Sequence, residues 1–163
     1  MDPVKRSFPP VVDAATRVLV VGSLPGEESL ARQRYYAHPR NQFWRLIGAV
    51  LGAELESLAY EERLAALLSR GVGLWDTVGS ATRRGSLDGD IRGLSKNDLA
   101  ALADTLPQLR AVGFNGGKSA ALGIPQLADR PGLTLLALPS SSPAYTLRFE
   151  QKLEAWRRLA DFL

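Results

Sequence analysis

Val18-Leu19-Val20-Val21-Gly22-Ser23-Leu24-Pro25-Gly26 is the stretch on which the fold turns: four apolar residues without interruption, then a sharp turn. A strand with one wet face alternates apolar and polar residues, whereas an unbroken run reads as a strand buried on both faces, the signature of a parallel sheet. Three further runs follow the same rule, at residues 72–75, 111–114 and 133–138. Helical patterns separate them. Residues 41–51 put Trp44, Ile47 and Leu51 on one face and stop at Gly52, a C-cap; residues 60–70 repeat the pattern with Leu64, Leu67 and Leu68 before Gly71. Ser95-Lys96-Asn97-Asp98 reads as a capping box opening a helix that ends near Pro107, and a last helix over 147–162 turns Leu153, Trp156, Leu159 and Ala160 inward. Alternating strands and helices predict an α/β fold of three layers, with helices on both faces of a central four-stranded parallel sheet. Residues 1–17, with Pro3, Pro9 and Pro10, read as an irregular N-terminal arm of a single domain over 1–163.

Composition narrows the function classes. The 163 residues are 45% hydrophobic and 23% charged, as in globular domains. No apolar run approaches the length of a membrane span, and no signal peptide precedes the first strand, so a bacterial or archaeal cytoplasm is the expected compartment. Cysteine is absent, which removes disulfides, thiolate metal sites and a cysteine nucleophile. The formal charge is only +3, yet 16 of the 20 cations are arginine, whose planar fork suits phosphates. Arg32, Arg34, Arg40 and Arg45 fall between Ser29 and Arg45 with no acidic residue, interleaved with Tyr35, Tyr36, Phe43 and Trp44. A GC-rich genome produces an arginine bias without function, but this pattern resembles a nucleic-acid surface.

Ligands of open parallel sheets bind beyond the carboxyl ends of the strands, which here points to four loops, 22–40, 76–93, 115–118 and 139–145. In the first, Gly22 and Gly26 around Pro25 allow a close backbone approach, and the long continuation reaches His38 and Asn41, the latter a good helix N-cap. In the second, Asp88 and Asp90 invite a metal reading, but no third ligand follows at a useful spacing, and Asp76 is the better organiser of a pocket. In the third, Asn115 carries both a donor and an acceptor, enough to read a base edge, while Gly116-Gly117-Lys118 lacks the spacing of a nucleotide triphosphate loop. The fourth, Pro139-Ser140-Ser141-Ser142-Pro143-Ala144-Tyr145, is a stiff loop with donors for phosphates and an apolar tip able to wedge into a duplex. A serine hydrolase is disfavoured: Ser23 lacks the nucleophile-elbow context, and His38, the single histidine, comes too early in the chain.

Together the ordered motifs Gly22-Ser23-Leu24-Pro25, Tyr36-Ala37-His38-Pro39-Arg40-Asn41-Gln42-Phe43-Trp44, Leu74-Trp75-Asp76 with Arg84-Gly85-Ser86-Leu87-Asp88, and Leu138-Pro139-Ser140-Ser141-Ser142-Pro143-Ala144 resemble the uracil-DNA glycosylase superfamily. Within it they resemble the hypoxanthine-DNA (deoxyinosine) glycosylase branch over about residues 18–162. The His-Pro-x-Asn-x-Phe-Trp stretch and Phe114-Asn115-Gly116 are also similar to the mismatch-specific uracil/thymine glycosylases. The resemblance implies a metal-independent, cofactor-free enzyme, acting as a monomer on double-stranded DNA that holds a deaminated base, hypoxanthine first and uracil next. It departs at Leu24, where most superfamily members place an Asp or Asn that positions water; the hypoxanthine branch uses the Asn of its His-Pro-x-Asn motif, which falls on Asn41. The implied catalytic group is Asn41, Ser23 and His38. The implied base pocket is Gly22, Leu24, Pro25, Tyr36 as stacking partner, Phe43, Asp76, and Asn115 as edge reader. Arg40, Lys118 and the loop from Ser140 through Ser141, Ser142, Pro143 and Ala144 to Tyr145 are the implied DNA contacts. Two other readings stay open on the residues: a catalytically inactive DNA-binding module of the same fold, and a nucleotide-binding α/β protein.

Overall fold

The computed structural model describes residues 3–163. Its centre is a four-stranded sheet made of β2 (Val18–Gly22), β3 (Val72–Asp76), β6 (Ala111–Asn115) and β7 (Thr134–Leu138), in the order β3-β2-β6-β7 and parallel throughout. The uninterrupted apolar runs follow from burial on two faces. In β2, Val18 and Val20 enter the core under α2 (Phe43–Leu51), α3 (Tyr60–Ser69) and α6 (Phe149–Trp156), while Leu19 and Val21 enter a second core under α4 (Leu99–Asp104) and α5 (Gly117–Leu127). Gly123 lets α5 lie close on the sheet, since a Cβ there would stand 2.2 Å from the Phe114 ring. The three-layer α/β/α fold is therefore as the sequence predicts. Among the described residues no helix is long and apolar enough to cross a membrane.

Several boundaries differ from the sequence reading. The N-terminal arm is not irregular: β1 (Val4–Arg6) pairs antiparallel with β4 (Val78–Thr82), and Val11 bridges to Leu74 beside the main sheet. Residues 1 and 2 lie outside the described part. The stretch read as the second loop carries β4 and the start of β5 (Arg92–Lys96), which complete a small antiparallel sheet of order β1-β4-β5. Ser95 and Lys96 are thus strand rather than cap, and Asp98 alone caps α4, accepting from the N–H of Ala101 at 2.9 Å. The first loop contains α1 (Glu27–Arg32), and the last helix gives way after Trp156 to a 3-10 segment over Arg157–Phe162.

Candidate active site

Gly22, Asp76, Asn115 and Leu138 are the last residues of the four parallel strands, and register pairs Gly22 with Asp76 and Asn115 with Leu138. Beyond them opens a cavity of about 510 Å³, within the range of small-ligand sites. Gly22 is required there, because a Cβ would come within 2.7 Å of Asp76 Oδ1 and 3.2 Å of the Tyr36 hydroxyl.

One wall is the first loop. Ser23, Leu24 and Pro25 border the cavity, and their carbonyls are gathered by the small sheet and its loop. Val78 donates to Ser23 O at 2.9 Å, and Arg83, only 1% exposed, donates to the carbonyls of Leu24 (3.3 Å), Pro25 and Gly85 (2.9 Å). Three backbone carbonyls around one guanidinium explain why a full positive charge is buried. Ser86 Oγ accepts from the N–H of Glu27, and Ser23 Oγ donates to Asp88 Oδ1 at 2.5 Å, closing the same wall. Asp76 is 3% exposed, with Oδ2 buried and unpartnered. Burial foremost, and then the charge of Asp88, push its pKa up to about 7 against the counter-pull of Arg83.

The opposite wall is the serine loop. Asn115 accepts from the N–H of Ser141 at 2.9 Å and donates to Ser141 Oγ (2.9 Å) and the Tyr36 hydroxyl (3.3 Å). The amide expected to read a base edge is thus engaged within the protein, fixing the loop and the tyrosine. Ser141 O accepts from the N–H of Gln42, and Lys152, 1% exposed, donates to Gln42 Oε1 (2.9 Å) and Ser142 O (3.2 Å), with burial drawing its pKa below the usual lysine range. Trp156 Nε1 donates to Pro139 O at 2.9 Å. Pro143, Ala144 and Tyr145 remain exposed at the mouth.

Between the walls stand Tyr36, His38 and Asn41. Gln42, not Asn41, is the N-cap of α2; Asn41 stands one residue earlier, where its Oδ1 accepts from the N–H of Phe43 at 2.9 Å in an Asx turn, which leaves its Nδ2 without a partner among the described residues. His38 Nδ1 accepts from the N–H of Arg40 at 3.1 Å, so Nε2 is left as the ring's donor. Tyr36 adopts a left-handed backbone (φ 54°), and burial raises its pKa, keeping the phenol neutral.

Most of the site residues expected from sequence meet at this cavity, with one correction. Phe43 is not part of the pocket: it is fully buried and stacks on Tyr36 (ring centroids 3.9 Å apart, planes 15° apart), backing the ring that faces the ligand. Arg40, exposed, and Lys118, half-buried at the start of α5, were expected to contact DNA rather than the base, and both lie outside the cavity. The sequence reading missed Arg83 and Lys152, which hold the two walls, and Asp88, which was weighed only as a metal ligand. Among the described residues, no three His, Cys, Asp or Glu side chains gather as a metal site requires.

The family model of the uracil DNA glycosylase superfamily matches residues 9–160. The chain belongs to that superfamily. It is 40% identical over 152 residues to a protein of Methanosarcina acetivorans named hypoxanthine DNA glycosylase, covering 93% of this chain and 94% of the relative. A Methanosarcina barkeri protein of the same name is 44% identical over 115 residues, 71% of this chain and 73% of the relative. A solution NMR structure of a Methanosarcina acetivorans protein described under the name uracil DNA glycosylase superposes with a TM-score of 0.86 at 37% identity, covering 97% of each chain. Family and fold are therefore those the motifs announced.

Proposed function

We propose that this chain excises hypoxanthine from double-stranded DNA, drawing the extruded nucleotide into the cavity and hydrolysing the bond between base and deoxyribose. The observation that carries the reading is a cavity that gathers the expected stacking and polar side chains at the strand ends, in a chain whose relatives bear that name. Breaking an N-glycosidic bond leaves a cation-like sugar and an anion-like base, so donors near the base and an oriented water supply most of the acceleration. Tyr36, backed by Phe43, offers its ring to the base. Asn41, its carbonyl oxygen tied to the first N–H of α2, presents its amide N–H groups to the water or the base. His38 adds a donor, and Ser23 to Gly26 border the departing base with their main chain. The serine loop, with Arg40 and Lys118 farther out, holds phosphates, and Pro143 to Tyr145 fill the gap in the stack.

Uracil is the second substrate. Asp76, neutral over much of its population near pH 7, has one O–H donor and one acceptor, the complement of an N–H beside a carbonyl. Hypoxanthine and uracil share that edge. The reaction as proposed uses no cofactor, and one chain carries the whole cavity, so the enzyme acts as a monomer on the nucleoid of a bacterial or archaeal cytoplasm.

The test is base release from duplexes carrying hypoxanthine or uracil, followed by alkaline strand cleavage, with and without EDTA. Hypoxanthine release that survives EDTA is expected. Asn41→Ala is expected to lower it by about 10²-fold or more, with only about 1 kcal/mol lost from folding stability through the missing hydrogen bond to the Phe43 N–H. Full activity in a folded Asn41→Ala protein would overturn the assignment of Asn41, and tight free-nucleotide binding without duplex affinity would overturn the glycosylase reading.

A further inference from the structure

Leu24 brings no polar group to the first loop, and Asn41 Oδ1 is already accepting from Phe43, so Asn41 faces the cavity chiefly as a donor. A donor orients a water but does not take the proton it loses on attack. An acceptor has to come from elsewhere on the cavity wall. Four carboxylates border it. Glu27 is ion-paired with Lys5, and Glu28 with Arg32 at 3.2 Å. Asp76 is buried with an unpartnered oxygen and favours its neutral form, which makes it a donor. The remaining one is Asp88. Its Oδ1 receives the Ser23 hydroxyl at 2.5 Å, Arg83 Nη1 stands 4.0 Å from the same oxygen, and the side chain is 40% exposed. It also supplies the charge that opposes ionisation of Asp76. Two carboxyl groups in one cavity, one buried and unpartnered, the other held by a hydroxyl and open to solvent, allow an acid–base division of labour.

We propose that Asp88 is a catalytic carboxylate of the excision reaction: it holds the attacking water, takes its proton, and stabilises the positive charge that develops on the sugar. This rests on the glycosylase reading above and adds the group which that reading lacks. In the step, the C1′–N bond breaks with its electron pair passing to the base, while the water oxygen bonds C1′. The water's proton moves to Asp88 and from there to solvent, and the departing base anion takes one proton from solvent, so no net proton is gained or lost. Ser23 is a positioning residue, its hydroxyl aiming the carboxylate. Asp76, as a neutral acid, donates to the base carbonyl as negative charge builds there.

The test compares wild type with Asp88→Asn, Asp88→Glu and Asp88→Ala in single-turnover release of hypoxanthine from a duplex, with duplex affinity and thermal midpoint measured in parallel. Asparagine keeps the shape and an acceptor for Ser23 but removes the charge. Asp88→Asn is expected to slow release by about 10²-fold or more with duplex affinity within about threefold. Asp88→Glu is expected to recover much of the loss, and added formate part of the Asp88→Ala loss. Release by Asp88→Asn within about threefold of wild type would overturn the proposal. So would a loss tracked by weaker binding and a lower midpoint, with no recovery from glutamate or formate, since that pattern belongs to a structural pin. A wild-type chain that frees no base from any duplex would remove the glycosylase reading and this proposal together, whereas an active wild type with an active Asp88→Asn removes this proposal alone.

Discussion

The two walls of the cavity solve one problem in different ways. Each is an irregular loop whose carbonyls have to be satisfied away from bulk water, and each is tied by a single cation that is 1% exposed, Arg83 for the first loop and Lys152 for the serine loop. Arg83 reaches three carbonyls with a rigid fork, and its wall also carries Asp76, Asp88, Glu27 and Glu28. Lys152 makes two contacts with a flexible ammonium, and its wall carries hydroxyls, amides and an exposed tyrosine but no carboxylate. An acidic wall repels phosphates and suits a cationic sugar; a wall of neutral donors suits phosphates. Under the proposed function, this asymmetry would turn the backbone of the nucleotide to the serine loop and its anomeric carbon to the carboxylates.

The largest effect expected concerns the acidic wall and pH. The pKa of Asp76 is raised in the folded state from 3.8 to about 7, so its contribution to stability is fully present below about pH 4 and is lost as pH rises through 7. Asp76→Asn removes that dependence. Its unfolding free energy is expected to improve relative to wild type by up to about 4 kcal/mol between pH 4 and pH 8, read from urea titrations at several pH values. A constant difference would mean that Asp76 is not held neutral. Next comes Arg83→Met, which strands the carbonyls of Leu24, Pro25 and Gly85 and is expected to cost about 3 kcal/mol or more. Lys152→Met, leaving Gln42 Oε1 and Ser142 O without their donor but removing a buried charge, is expected to cost about 1–2 kcal/mol while weakening duplex binding more than Arg83→Met does per unit of lost stability. Equal costs for the two would break the comparison. Smallest is Tyr145→Ala: the side chain is 45% exposed, so stability is expected to change by less than about 0.5 kcal/mol, while release from duplex falls severalfold and release from single strands does not.

The sequence is most legible where burial is symmetric. An unbroken apolar run such as 18–21 has few alternatives to a two-faced strand, and all four such runs became one. The small sheet was not legible for the opposite reason. Val78–Thr82 contains glycine, serine and threonine and pairs back to residues 4–6, while Arg92–Lys96 is mostly exposed and pairs only with Val78–Thr82. Arg83 and Lys152 were hidden because burial of a cation depends on carbonyls brought close by the fold, not on neighbours in sequence. Motif reading placed Tyr36 and Phe43 together in the pocket, and only stacking geometry sets one in front of the other. Asn41 was legible as a residue fixing the start of a helix because such bonds are local, though the cap itself falls one residue later on Gln42; Asp88 was not legible as a partner of Ser23, 65 positions away.

The measurement that tests the account most directly is the structure of Asn41→Ala bound to a duplex containing hypoxanthine. The account expects the base inside the cavity on Tyr36, the flanking phosphates against Ser140 to Ser142, and C1′ turned toward Asp88. A base still stacked in the duplex, or phosphates lying along the Glu27–Asp88 wall, would contradict it.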